Sequence, residues 1–215
     1  MRVDGTSEVL PGSPLQAWNE SVRGRAPFSE VHLSDLQNSL VDAASKRLRR
    51  AGANVASDRG QAAETVDRIV STLNPVGLHF AFLDPFNLRA LPFTVLDRLS
   101  TLRRMDILVH VSIQDLQRNL RRYIQEPASP FDEFAPGWRE HLDVNQHDEL
   151  VREQIMRHWM SLLVDRGMTT AESFERVVGA KKQPLYWLGF AARHDRALEF
   201  WEKIRALDKQ GELFR

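Results

Sequence analysis

Apolar residues in this chain follow two spacings: short continuous runs, and one residue in every three or four. Runs of four to eight apolar residues bounded by Gly, Pro or Asp predict strands, and the wider spacing predicts amphipathic helices. Between residues 28 and 124 the two patterns alternate four times. The predicted strands are 28–35, 54–57, 78–84 and 105–111, and the helices that follow them are 37–51, 61–73, 92–102 and 113–124. This alternation predicts an α/β fold whose parallel strands are joined by right-handed crossovers.

The pattern changes on both sides of this region. Gly and Pro residues mark 1–14 as a loop, and a short helix is predicted at 15–22. We expect a single domain over residues 1–215. Its parts are an N-terminal loop and helix (1–27), parallel strand–helix units (28–124), a helical insertion (125–168), and a C-terminal hairpin and helix (169–215). The hairpin strands, 174–180 and 184–192, must be antiparallel because a three-residue link is too short for a crossover.

Composition excludes several classes of function. The chain has 29 Lys and Arg and 29 Asp and Glu, so no net charge draws it to nucleic acid or membranes. It has no cysteine, which excludes disulfides, cysteine nucleophiles and thiolate metal sites. No histidine pair has the spacing of a zinc site, so we expect no metal. No apolar run is long enough to span a membrane, and the N-terminus lacks the apolar segment of a signal peptide, so we expect a cytoplasmic protein.

The run at 78–84 ends in Asp84-Pro85-Phe86. Because this run is almost wholly apolar, we expect a central strand buried on both faces. An open α/β sheet binds its ligands at the carboxyl ends of its strands, where Asp84 would stand. Pro85 prevents further strand pairing. The alternative is a turn that ends the strand and places Phe86 in the core.

Several segments together resemble the three-Cys-motif partner proteins. They are Phe80-Ala-Phe-Leu-Asp-Pro-Phe, Asp106-Ile-Leu-Val-His-Val followed by Gln117-Arg118-Asn119, and Pro184-Leu-Tyr-Trp-Leu-Gly-Phe-Ala-Ala-Arg-His followed by Phe200-Trp-Glu-Lys-Ile. The resemblance covers nearly the whole chain. It implies a Rossmann-like methyltransferase-type sheet, mostly parallel with a C-terminal antiparallel hairpin. It also implies S-adenosylmethionine as cofactor and a partner protein that carries a three-cysteine motif.

The resemblance implies roles at the acceptor side of a site. Asp84, Pro85 and Phe86 are similar to the Asp/Asn-Pro-Pro-aromatic motif of amino-methyltransferases and are implied to be catalytic. This chain lacks the second proline of that motif. A further three residues are implied to line a substrate or phosphate site: Gln117, Arg118 and Asn119.

Two carboxylates are candidates for binding the cofactor. Asp35 ends a predicted strand, where a carboxylate accepts hydrogen bonds from ribose hydroxyls. Asp58 follows the next strand, where related methyltransferases place a polar side chain near the adenine amine. The alternatives are a helix cap or loop residue for Asp35 and a turn residue for Asp58.

One feature of the family has no counterpart in the sequence. Family members begin with a strand and a glycine-containing loop, ahead of the segment that matches Arg2-Val3-Asp4. We therefore expect a sheet without its first strand, and weakened S-adenosylmethionine binding. The leading hypothesis is an S-adenosylmethionine-dependent methyltransferase that acts on nucleic acid or protein. The alternative is a non-catalytic Rossmann-like binding protein that acts with a three-cysteine-motif partner.

Overall fold

A computed structural model describes residues 12–171, 174–178 and 184–209. The helices are α1 (Ser13–Arg23), α2 (Asn38–Arg50), α3 (Ala62–Thr72), α4 (Phe93–Leu99), α5 (Ile113–Gln125), α6 (Pro130–Phe134), α7 (Trp138–His141), α8 (Asp148–Val164) and α9 (Asp195–Lys209). The strands are β1 (Val31–Asp35), β2 (Val55–Arg59), β3 (His79–Leu83), β4 (Met105–Ser112), β5 (Thr169–Thr170), β6 (Glu175–Val178) and β7 (Pro184–Ala192). The chain forms two compact units, Met1–Ile69 and Val70–Arg215. The single domain expected from the sequence stays a prediction.

The N-terminal unit is a parallel pair of strands packed on amphipathic helices. Strands β1 and β2 run side by side in register, from Val31 opposite Val55 to Asp35 opposite Arg59. The small core contains Trp18 of α1 and Leu48 of α2. The Trp18 indole N–H donates to the Ala51 carbonyl at 2.9 Å, so the buried ring has its polar atom satisfied.

The C-terminal unit contains a mixed sheet with β7 at its centre. Strand β3 pairs with β4 in parallel, β4 pairs with β7 antiparallel, and both β5 and β6 pair antiparallel with β7. The predicted α/β class, with parallel strand–helix units and an antiparallel C-terminal hairpin, is therefore confirmed. The predicted hairpin turn, residues 181–183, lies outside the described residues.

Buried and partly buried residues alternate along β4, so the two faces of this sheet differ in character. Four apolar side chains are buried on one face, namely Met105, Ile107, Val109 and Val111. The other face carries Asp106, Leu108, His110 and Ser112, which are only partly buried. Since successive strand residues point to opposite faces, the polar residues of β4 all lie on one side of the sheet.

The apolar sequence of β3 led us to expect that this strand is buried on both faces, and this expectation is wrong. Within the described residues its only strand neighbour is β4, so β3 lies at an edge. Phe80 is 44% exposed and Phe82 is 39% exposed. An apolar run indicates a strand but does not report how many neighbours that strand has.

Other differences concern element boundaries. Asp58 lies within β2 rather than after it, because the strand continues to Arg59. The predicted helical insertion, 125–168, begins with two short helices, α6 and α7. The two-residue strand β5 has no signal in the hydrophobic pattern. None of the helices in the described part of the chain is long and apolar enough to cross a bilayer.

Candidate functional site

Three polar side chains meet near the carboxyl ends of β3 and β4. Leu83 pairs with Val109, and continuing that parallel register places Asp84 beside His110. The Asp84 Oδ1 atom forms a hydrogen bond with His110 Nδ1. The ring of Tyr186 on β7 meets the His110 imidazole edge-on, with 4.3 Å between ring centroids. We refer to these residues as the Asp84–His110–Tyr186 cluster.

The hydrogen bond determines which imidazole nitrogen carries the proton. An ionised carboxylate only accepts hydrogen bonds, so His110 Nδ1 must be the donor to Asp84. In the neutral ring, Nε2 then holds the free lone pair. Within the described residues, Nε2 has no hydrogen-bond partner. The Asp84 side chain is 54% exposed and the His110 side chain 23% exposed, so an external molecule can reach the pair.

Tyr186 remains protonated at neutral pH. Burial raises the pKa of its phenol, and the nearby negative charge of Asp84 raises it further. A protonated phenol can donate a hydrogen bond. The cluster therefore combines a proton acceptor at His110 with a donor at Tyr186.

Phe86 projects from the turn after Asp84 and is 91% exposed, so the alternative that placed it in the core is wrong. The turn is held at its far end by Asn87, whose side chain accepts from the Ala90 N–H at 3.1 Å. The Leu88 N–H donates to Asp115 Oδ2 at 3.1 Å. These contacts anchor the turn, and the Phe86 ring is left uncovered two residues after Asp84.

The Gln117-Arg118-Asn119 segment divides into two kinds of residue. Asn119 donates to Asp115 Oδ1 at 2.7 Å, so its amide helps to hold Asp115 in place. Gln117 and Arg118 are exposed on α5, and their side chains make no hydrogen bond or ion pair within the described residues. Their role in binding a substrate or phosphate stays a prediction.

Asp35 and Asp58 lie in the N-terminal unit, and both have local partners. Asp35 Oδ1 accepts from the Gln37 N–H at 2.7 Å, and Asp58 Oδ1 pairs with Arg68 Nε at 3.3 Å. The second carboxylate oxygen of Asp35 has no partner among the described residues and fits the predicted bond to a ribose hydroxyl. To bind an adenine amine as predicted, Asp58 would have to release Arg68.

The glycines supply no clear site for the methionine end of the cofactor. Among those in the described ranges, Gly60 directly follows a strand, and its φ of +137° is one that favours glycine. Its N–H donates to the Asp35 carbonyl at 3.2 Å, so it is used within the fold. The described residues thus fit the adenosine end of S-adenosylmethionine better than its methionine end.

The arginines beyond Arg118 on α5 are structural. Arg121 donates to Asp148 Oδ1 at 2.7 Å and to the Val144 and Gln146 carbonyls, which ties α5 to the start of α8. Arg122 pairs with Glu126 at 3.5 Å along its own helix. Both side chains are therefore paired with carboxylates on the surface.

Two histidines outside the cluster use Nε2 to bind backbone carbonyls. His79 Nε2 bonds to the Asn74 carbonyl at 2.7 Å, and His158 Nε2 bonds to the Pro136 carbonyl at 2.8 Å. The His141 and His158 rings stack with 4.8 Å between centroids. No group of three His, Cys, Asp or Glu side chains suited to a metal ion occurs in the part of the chain that the structure describes.

The sequence reasoning missed His110 and Tyr186 as site residues. A histidine in an apolar strand is usually a packed side chain, and no motif marks Tyr186. One signal was present: His110 and Asp84 stand near the ends of consecutive predicted parallel strands. Parallel strands bring their carboxyl ends to one edge, which is where the two side chains meet.

Comparisons with known proteins give weak structural similarities. No protein-family model and no curated protein matches the chain. A Staphylococcus aureus protein provisionally named as a caffeoyl-CoA O-methyltransferase matches with a TM-score of 0.44 and 10% identity, over 85% of this chain and 73% of that one. An S-adenosylmethionine-dependent methyltransferase from Methanosarcina mazei matches with a TM-score of 0.40 and 13% identity, over 76% and 81%. Another, from Anabaena variabilis, matches with a TM-score of 0.34 and 12% identity, over 81% and 70%. Similarities of this size carry no information on activity.

Proposed function

We propose that this protein is an S-adenosylmethionine-dependent methyltransferase of the three-Cys-motif partner type, which receives its acceptor at the Asp84–His110–Tyr186 cluster. The observation that supports it is the position of this cluster at the carboxyl ends of parallel strands, with Phe86 uncovered two residues after Asp84. Ligands of open α/β sheets bind at this edge. The order of strands, with parallel units followed by an antiparallel hairpin, agrees with the resemblance seen in the sequence.

The cofactor would supply an electrophilic methyl group, and the protein would supply binding, orientation and electrostatics. Asp35 is the residue proposed to bind ribose, through its unpartnered carboxylate oxygen. Asp58 is proposed to bind the adenine amine in exchange for Arg68. A three-cysteine-motif protein, or nucleic acid brought by it, is the proposed partner.

At the acceptor side, exposed Phe86 offers a flat apolar surface on which a planar acceptor can stack. Asp84 and Pro85 fix the turn that carries this ring. Holding the acceptor atom in line with the methyl group converts a bimolecular reaction into an effectively unimolecular one. Phe86→Ala should therefore weaken acceptor binding while leaving cofactor binding unchanged.

A second candidate is a binding protein without catalysis that works with the same kind of partner. One observation favours it: the described residues contain no glycine loop, free of other contacts, that could approach the methionine end of a cofactor. On this alternative the exposed Phe86 would contact the partner protein rather than a methyl acceptor.

Calorimetric titration of the whole chain with S-adenosylmethionine decides between the two. We expect saturable binding that Asp35→Ala weakens at least tenfold, an effect of about 1.4 kcal/mol. Asp42→Ala is the matched control, because Asp42 is a carboxylate of the same unit that pairs with Arg59 on the surface at 2.7 Å. No binding at millimolar cofactor would reject the methyltransferase and leave the binding protein.

A further inference from the structure

We propose that His110 is a general base that takes a proton from a hydroxyl group of the acceptor, and that Asp84 positions it. The inference rests on the proposed function only for the fate of the acceptor oxygen. The proton-accepting pair itself is a property of the C-terminal unit. It differs from the amine chemistry that the Asp-Pro-Phe sequence suggests, because that chemistry needs no histidine.

The first step of the argument is the pairing of Asp84 with His110. A carboxylate bound to Nδ1 selects the tautomer in which Nε2 is unprotonated, and it stabilises the imidazolium that forms when Nε2 takes a proton. A base whose orientation is held by a third group is the arrangement that activates weak nucleophiles. The Tyr186 ring against the imidazole further restricts rotation of His110.

The second step is the accessibility of Nε2. Within the described residues Nε2 has no hydrogen-bond partner, whereas His79 and His158 each use Nε2 to bind a carbonyl at the cost of its reactivity. His110 is partly exposed, so its lone pair faces space that an acceptor can enter. A candidate base must be within hydrogen-bond reach of the proton that it removes, and an acceptor that enters this space can come within that reach of Nε2.

The third step concerns which acceptors need such a base. A neutral amine attacks with its own lone pair, and its hydrogens require only acceptors such as a carboxylate. A hydroxyl oxygen is a weak nucleophile until its proton leaves. In the proposed reaction the O–H bond breaks and its proton passes to Nε2, while the oxygen forms a bond to the methyl carbon. The sulfur–methyl bond breaks with its electron pair going to sulfur, and the imidazolium then releases its proton to water.

The test measures the nucleophilicity of Nε2 directly, without cofactor or acceptor. Diethyl pyrocarbonate acylates unprotonated imidazole nitrogen, and mass spectrometry of peptides reports the rate at each histidine. We expect His110 to react about tenfold faster than His147, which is more exposed but has no carboxylate on its ring. If reactivity followed exposure alone, His147 would react faster, and the proposal would be rejected.

Asp84→Asn provides the second arm. The amide can donate to Nδ1, which moves the ring proton to Nε2 and removes the lone pair from the reactive position. We expect carbethoxylation of His110 to slow about tenfold, with the rates at His79 and His147 unchanged. An unchanged rate at His110 would show that Asp84 does not position it. Asp84→Ser replaces this variant if the asparagine variant does not fold.

The acceptor class is tested by protection of His110. Phenol can donate its hydroxyl proton to Nε2, and anisole has the same ring but no proton to donate. At equal concentrations, phenol should slow carbethoxylation of His110 and anisole should not. Equal protection by both, or by neither, would overturn the hydroxyl assignment. Because no cofactor is present, a failure to bind S-adenosylmethionine would reject the proposed function and leave these outcomes standing.

Discussion

The Trp138 indole N–H donates to Asp132 Oδ1 at 2.7 Å, and this bond organises the start of the helical insertion. The other Asp132 oxygen accepts from the Ser129 N–H at 2.8 Å, as part of a capping box at the start of α6. Arg139 Nε lies 3.3 Å from the same carboxylate. One side chain therefore joins α6 to α7 and satisfies the polar atom of a buried tryptophan.

Replacing Asp132 should destabilise the protein at neutral pH. Burial opposes its ionisation, but the hydrogen bonds from Trp138, Ser129 and Arg139 prevail and hold its pKa below the ordinary value. The contribution of Asp132 to the free energy of unfolding is therefore present above about pH 4 and is lost as the pH falls through the lowered pKa. We expect Asp132→Ala to cost about 1 kcal/mol in urea unfolding at pH 7. The control is a substitution of exposed Glu133 on the same helix. A cost that did not decrease as the pH falls through the lowered pKa would contradict the assignment.

The contribution of Asp106 to stability should change with pH in the opposite direction. Burial raises the pKa of this carboxyl, and the charge of His194 only partly offsets that effect. The folded state therefore favours the protonated acid, so its contribution is present in acid and is lost as the pH rises through the raised pKa. Asp106→Asn should stabilise the protein at pH 7 by up to about 1 kcal/mol, with no gain below pH 4. Asp97→Asn, which removes the negative charge from a 2.7 Å ion pair with Arg166, should give no gain at either pH.

Gly189 has no room for a side chain. A Cβ there would lie 2.6 Å from the Phe174 ring, which stands between Trp159 and Trp187 and cannot easily move. Gly189→Ala should therefore destabilise the protein by about 1–3 kcal/mol, measured by thermal unfolding. Combining it with Phe174→Leu should recover part of the loss. Additive costs in the double variant would show that the clash is not the cause.

Asp115 should couple the turn that follows Asp84 to helix α5. It accepts from the Leu88 N–H, from Asn119 and, at 3.0 Å, from the hydroxyl of buried Tyr123. Asp115→Ala leaves these donors unsatisfied and should cost about 1–3 kcal/mol. Tyr123→Phe removes one of these donors, so no unsatisfied hydroxyl is left behind, and it should cost less than Asp115→Ala. Hydrogen exchange at Leu88 should accelerate in Asp115→Ala only, and equal exchange in both variants would contradict the coupling.

The periodic elements could be predicted from the sequence because their causes are local. The α5 helix begins where the Ser112 side chain accepts from the Asp115 N–H at 3.2 Å, a cap visible in the sequence spacing. The hairpin of β6 and β7 follows from its short link. Site residues were harder to predict, since Asp58 has an arginine partner ten residues away that no spacing rule indicates.

The sequence by itself determined the alternation of strands and helices, the hairpin, and the position of Asp84 at the end of a strand. These depend on side-chain periodicity, capping and link length, which act over a few residues. Tertiary structure decided that β3 is an edge strand, that Phe86 is exposed, and that His110 and Tyr186 join Asp84. Those relationships depend on strand order and register across 26 residues or more, and no local pattern encodes which strands become neighbours.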